Sequence, residues 1–171
     1  NRLLSKAERF EHLDGVYYML AFAYKDESAI QRDEDSALAL FQELIKRCPD
    51  SEYVDTAHMF IGTMLFDRNN FTEAIAEYNV VIEKGVDGRH HTDAMYYLAW
   101  SIYKMSLLPE EYQKALEVFD SLIERSNQLL VEEGRRSDFE PDAIRYIAHS
   151  FADISDITGE SPVEVAERFF S

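Results

Sequence analysis

Three groups of residues in this 171-residue chain have types that could do chemistry. His90, His91 and Asp93 stand together in "GVDGRHHTD", and imidazole and carboxylate are ordinary ligands of a divalent metal. A zinc site needs three or four converging ligands, whereas adjacent histidines point in different directions and no second cluster lies near in sequence. The segment reads instead as the lead-in to a helix capped by Thr92 or Asp93, and no metal is expected. His149 and Asp153 stand one helical turn apart, a spacing that predicts a modest surface pair. The single Cys48 excludes an internal disulfide, fits no metal spacing and is expected to be a buried or idle thiol.

Catalytic patterns are missing. The chain contains no G-x-S-x-G, no H-E-x-x-H, no glycine-rich phosphate loop and no Cys/His nucleophile arrangement. Its carboxylates are spread over helix faces and turns as on a solvated surface. The expectation is a protein that is not an enzyme and carries no cofactor. Asn70-Phe71-Thr72 matches a glycosylation sequon, a pattern too short to carry weight.

The residues left to explain are aromatic. "MYYLAWSIYK", Met95 to Lys104, is apolar on two helical faces: Met95, Leu98, Ala99 and Ile102 on one, Tyr96, Trp100 and Tyr103 on another. A surface helix ordinarily has one apolar stripe. The second stripe needs a partner, inside the molecule or outside it.

The elements that carry these rings follow from composition. A hydrophobic content of 46% supplies a core and argues against disorder. The formal charge of -16 repels phosphate backbones, which disfavours nucleic acid and anionic membrane surfaces; it favours basic partners or serves solubility alone. No run approaches the roughly 20 apolar residues of a membrane span. Six Gly and four Pro are few, alternation of β-branched residues is absent, and a period of 3.6 dominates, so the chain is expected to be all-α.

A motif recurs four times. Tyr17, Leu20, Ala21 and Tyr24 precede Ala37, Phe41 and Pro49; His58, Ile61, Gly62 and Leu65 precede Ala74 and Tyr78. Met95, Leu98, Ala99 and Ile102 precede Ala115 and Phe119; Ile144, Ile147, Ala148 and Phe151 precede Ala166 and Phe170. A small residue on the first helix lets the second approach, and the aromatic one turn after its Ala fills the remaining gap. The extra residues between the two halves fall in "KDESAIQRDED", "MSLLPEEYQK" and "DISDITGESP", polar or Pro/Gly-bearing stretches suited to turns. Ser161-Pro162 predicts a helix start, and the long third repeat is expected to run to about Glu133 and break at Gly134.

This order of residues resembles the tetratricopeptide repeat. The resemblance implies a right-handed superhelix, an α-solenoid of antiparallel hairpins, in a single domain 1–171. Residues 1–12 are a preceding helix or cap, with repeats at 13–49, 53–86, 92–133 and 141–171. His58 stands where the pattern has an aromatic and is expected to pack. In such arrays the first helices line a concave groove. The same register then assigns the partner-binding groove to Tyr18, Phe22, Met59, Thr63, Phe66, Tyr96, Trp100, Tyr103, Arg145 and His149, with Trp100 and Tyr103 foremost and about half of the set packed between repeats. Tyr97 is expected to pack on a neighbouring repeat. Chaperone-binding members hold a carboxylate with Lys, Asn and Arg at these positions. Here only Lys25 and Arg145 are basic, so no such clamp is expected. The expected partner is a protein or peptide segment, apolar with basic flanks; self-association through terminal helices is a further expectation.

The joint "RCPDSEY" and repeats of 37 residues (Ala37 to Ala74) resemble those of bacterial envelope proteins of outer-membrane β-barrel assembly and the Tol-Pal system. "EKGVDGRHHTDAMYY" at the second joint lacks the Pro-Asp-Ser run. This resemblance implies a scaffold in the periplasm or at the outer membrane. Both ends read as cut within helical patterns, so a cytoplasmic adaptor and the regulatory part of a larger enzyme remain as alternatives.

Overall fold

Helix-forming stretches broken by short polar turns become helices here, and the turns decide where each one stops. A computed structural model describes residues 12–25, 33–85 and 90–171. The expected leading helix within 1–12, apart from His12, and the first-hairpin turn at 26–32 lie outside the described residues. Among the described residues there are eight helices and no strand. They are α1 Leu13–Lys25, α2 Glu34–Arg47, α3 Val54–Asp67, α4 Phe71–Glu83, α5 His91–Met105, α6 Pro109–Glu133, α7 Glu140–Thr158 and α8 Pro162–Phe169.

The ends of these helices have identifiable causes. Asp33 caps α2 by accepting from the Ser36 amide at 3.1 Å, and acids in the first turn with bases in the last complement the helix dipole. Pro109 opens α6, where Glu111 accepts from the Leu107 and Leu108 amides at 2.8 and 3.1 Å; these two bonds hold its carboxyl below the usual range. Gly134 and Gly159 end α6 and α7 at φ 72° and 77°, the left-handed region that glycine enters at little cost. Ser161 and Glu164 form a reciprocal capping box on α8, with Pro162 in its first turn.

One cap differs from expectation. α5 starts at His91, so Thr92 and Asp93 lie inside its first turn and neither caps it. The His90 side chain is drawn instead toward Thr56 Oγ1, 3.1 Å from Nε2, and Asp93, 3.4 Å from Nδ1.

Helices pair as consecutive antiparallel hairpins, α1/α2, α3/α4, α5/α6 and α7/α8, and each second helix also packs against the next first helix. The array is an α-solenoid. Ala21, Gly62 and Ala99 are fully enclosed at the hairpin contacts. At Gly62 nothing larger fits: an added Cβ would stand 2.5 Å from Cε1 of Tyr78. Phe41, Tyr78 and Phe119 on the second helices have no exposed surface, because each also meets a ring of the next repeat. Those pairs are Phe41–Phe60 at 5.4 Å, Tyr78–Tyr97 at 5.8 Å and Phe119–Tyr146 at 5.7 Å.

The first helices thus bury a second stripe backward, against the hairpin before them. On α3 it is Ala57, Phe60 and Ile61; on α5 and α7 the corresponding positions are Ala94, Tyr97, Leu98 and Ala143, Tyr146, Ile147. The fourth repeat departs from expectation. Ala148 is exposed, Ala166 is only half-buried and Phe170 is 63% exposed, while Val165 is the α8 residue turned inward. No described helix follows α8 to close over this hairpin as α3, α5 and α7 close over theirs. His58 packs between α3 and α4 with only 15% of its side chain exposed, and it also sets Nδ1 2.6 Å from the Glu77 carboxylate.

Candidate functional site

The first helices lie side by side and are joined by rings. Phe22 meets Phe60 at 6.1 Å, Phe66 meets Trp100 at 4.7 Å, and Tyr146 stands 5.6 Å from Trp100 and 5.4 Å from Tyr103. Ring pairs therefore link each repeat to the next.

Of the ten residues assigned to the groove, the structure closes three. Met59, Phe66 and Tyr96 are buried, and their apolar surface is already spent between repeats. Phe139, at the entry of α7, stacks on Tyr96 at 4.6 Å with planes 16° apart; burial pushes the Tyr96 hydroxyl up to about 12. Tyr18 is half-buried for the same reason, since Tyr53 at the entry of α3 stacks on it at 4.6 Å. Thr63 is half-buried with its hydroxyl donating back to the Phe60 carbonyl at 2.9 Å.

Trp100 is half-buried among Phe66, Tyr96, Tyr97 and Tyr146, and its indole Nε1 is shielded from solvent. Tyr103 is half-buried and its hydroxyl donates to Asp153 at 2.6 Å; burial and this carboxylate both raise its pKa. Asp153 is thus held by Tyr103, not by His149 as the spacing predicted. Phe22 (45% exposed), Arg145 and His149 are open to solvent. Arg145 pairs with Asp142 at 2.6 Å.

Rings that sequence reasoning left out of the groove hold it together. Phe60 and Tyr146 stand two residues after His58 and Ile144, where Tyr97 follows Met95. That recurrence was visible in the motif. Tyr97 packs on Tyr78 at 5.8 Å and on Phe139 at 5.9 Å, against the repeats before and after it.

Cations already lie over two of these rings. Lys25 Nζ stands 4.8 Å from the centre of the Phe60 ring, and Lys104 Nζ stands 5.6 Å from Trp100. Ring faces attract cations through their quadrupole, by about 0.5–1 kcal/mol at exposed sites. Carboxylates flank the same run: Asp67 and Asp93 raise the Tyr97 hydroxyl after burial does, and Asp142 adds to the effect of Tyr146 on Tyr96.

The groups with metal or nucleophile chemistry do not converge. Among the described residues no three His, Cys, Asp or Glu are grouped to hold a metal ion. His91 is buried, and burial followed by the nearby Arg125 charge lowers its pKa. Cys48 is half-buried at the end of α2; burial and the Asp14 charge raise its pKa and disfavour the thiolate. No helix among the described residues is long and apolar enough to cross a membrane.

Comparison with known proteins adds the repeat class. Residues 16–51 and 93–126 match the family model of the tetratricopeptide repeat, and they coincide with hairpins α1/α2 and α5/α6 up to residue 126. No curated protein matches the chain. Tetratricopeptide repeats generally mediate contacts between proteins. Two hairpins similar to the tetratricopeptide repeat, and two more that pack in the same order, make this an α-solenoid of helix hairpins.

Proposed function

We infer that the chain is a non-catalytic scaffold that holds a protein segment along its row of first helices, and that the segment is apolar with basic flanks. The observation that carries this reading is the pairing of Lys25 and Lys104 with the Phe60 and Trp100 rings. A partner's lysine or arginine can take the place of either side chain over its ring without new chemistry, and apolar residues between them can rest on Phe22 and the edges of Trp100 and Tyr103. The carboxylates near these rings and the charge of -16 steer a basic segment toward them. Exposed aromatic edges anchor well because they supply area at low entropic cost.

Selection of displayed peptides on the immobilised chain tests this reading. Enriched peptides are expected to combine apolar residues with flanking Lys or Arg, and Phe22→Glu is expected to lower their retention by tenfold or more, a loss of ~1.4 kcal/mol. Enrichment of acidic peptides, or equal retention by Phe22→Glu, would overturn it.

The Pro49-Asp50-Ser51 joint supports a bacterial cell-envelope setting for this scaffold. In the structure the joint does mechanical work: Ser51 donates to Asp14 at 2.7 Å, and the Tyr53 ring that follows stacks on Tyr18. Fractionation of source cells with an antibody to the chain checks the compartment. Recovery in the periplasmic or outer-membrane fraction is expected, and recovery in the cytoplasm supports an adaptor there instead.

A further inference from the structure

Tyr146, His149 and Asp153 follow one another at spacings of three and four, so they share one face of α7. That face looks onto Trp100 and Tyr103, which lie one turn apart on α5, and Tyr112 enters from the start of α6. The Tyr146 ring stands 5.6 Å from Trp100 and 5.4 Å from Tyr103, and Tyr112 meets Tyr103 edge-on at 5.5 Å. Tyr103, Tyr112, Tyr146 and Asp153 are half-buried and His149 is exposed, so the slot between α5 and α7 opens to solvent. It lies within the array, bounded by the third hairpin on one side and the first helix of the fourth on the other.

One carboxylate stands among these rings without a cation. Asp153 accepts from the Tyr103 hydroxyl at 2.6 Å, and among the described residues it joins no ion pair. Bases on the neighbouring helices are engaged elsewhere: Lys104 over the Trp100 ring, Arg145 with Asp142 and Arg168 with Glu160. Burial first, and Asp153 after it, raise the pKa values of Tyr103 and Tyr112, so both hydroxyls stay neutral. A carboxylate held at half burial by a neutral partner has a desolvation cost that an added cation offsets.

We propose that this slot takes an arginine side chain of a bound protein segment, its guanidinium donating to Asp153 and lying against the Tyr103 and Tyr146 rings. The mixture of carboxylate and ring faces argues for arginine over lysine. A planar guanidinium donates in its own plane while its face rests on a ring, whereas an ammonium is a compact, strongly hydrated point charge. The assignment rests on the reading of the first helices as a binding surface and gives one basic flank of the segment its place.

NMR titration of the 171-residue chain with N-acetyl-arginine amide tests the proposal, with the citrulline and lysine analogues as controls. The arginine probe is expected to saturate at about 1–10 mM and to shift the backbone amides of Tyr103 and Asp153 most. Citrulline has nearly the same shape without the charge and is expected not to saturate; lysine is expected to bind about threefold more weakly than arginine. Asp153→Asn keeps the side-chain size and an oxygen for Tyr103, so helical circular dichroism is expected to persist while arginine binding falls about fivefold. Asp156→Asn removes the same charge from an exposed position of α7 and is expected to bind as wild type does, which separates the slot from the general pull of a -16 chain. Equal binding of arginine with either analogue overturns the proposal, and these comparisons use wild type alone, so they decide it even if Asp153→Asn fails to fold. Shifts centred away from Tyr103 and Asp153, or equal losses in Asp153→Asn and Asp156→Asn, overturn it as well. If any of these occurs while displayed-peptide selection still enriches basic flanks, only the slot is lost; if selection enriches none, the wider reading fails even where the arginine probe binds.

Discussion

The second and fourth hairpins share a motif and differ in what covers them. In α3/α4 the small residue is Gly62, set against a Tyr78 ring that has no exposed surface and stacks on Tyr97 of the next repeat. In α7/α8 the corresponding residues are Ala148 and Phe170, and both are exposed. The motif therefore specifies a half-joint. The ring is completed by the next first helix, as Tyr97 completes Tyr78. The small residue is covered within its own hairpin, Gly62 by Tyr78; in α7/α8 it is Val165 that turns inward instead.

Substitutions at equivalent positions sharpen this contrast. Gly62→Leu has the largest expected effect, since even its Cβ collides with a ring that cannot retreat; we expect a loss of about 3 kcal/mol or more in urea unfolding, with reduced helical circular dichroism. Retention of wild-type stability by Gly62→Leu would show that the hairpin is looser than its geometry. Trp100→Ala removes a half-buried ring wedged between three repeats, and we expect about 2 kcal/mol, less than the ~3–5 kcal/mol of a fully buried aromatic. That cost means Trp100→Ala is not a clean probe of binding, whereas the open Phe22 is.

Protonation probes the closed middle of the molecule in another way. His91 is buried at the start of α5 with its pKa lowered below the ordinary 6.5, first by burial and then by Arg125. The folded state thus binds a proton less readily than the unfolded chain. His91 does not weaken the fold above pH 6.5, and stability falls as pH drops from there through the folded-state pKa. Urea midpoints measured from pH 7.5 down to pH 5 are expected to decline less for His91→Phe than for wild type. Ala148→Leu has the smallest expected effect, within about 0.5 kcal/mol of wild type, because its side chain enters the open trough. A loss as large as that of Gly62→Leu would mean that the fourth hairpin is as closed as the second.

Much of the architecture was legible because local rules produce it. The 3.6-residue period, Ser161 before Pro162, and Gly134 at the end of α6 act within a turn or two of chain. α5 starts at His91 with His90 at the cap position, and the Thr56 contact of the His90 ring, a whole hairpin earlier in sequence, was not legible. The pairing of His58 with Glu77 was not legible, because Glu77 comes from the other helix of its hairpin. The groove was half-legible. Periodicity puts Tyr96 and Trp100 on one face, but only the arrival of Phe139 from the next repeat decides that Tyr96 is closed. Phe66 is closed by Phe71 and Tyr97 in the same way.

By itself the sequence determined the helices, their pairing into hairpins and the repeat class, since these depend on residue spacing along a helix and on which small residue stands opposite which ring. The tertiary structure alone decided which of the repeated positions are buried and which rings keep an open edge. Burial of a side chain depends on atoms delivered from distant parts of the chain, as Tyr97 delivers cover to Tyr78 and Phe139 to Tyr96.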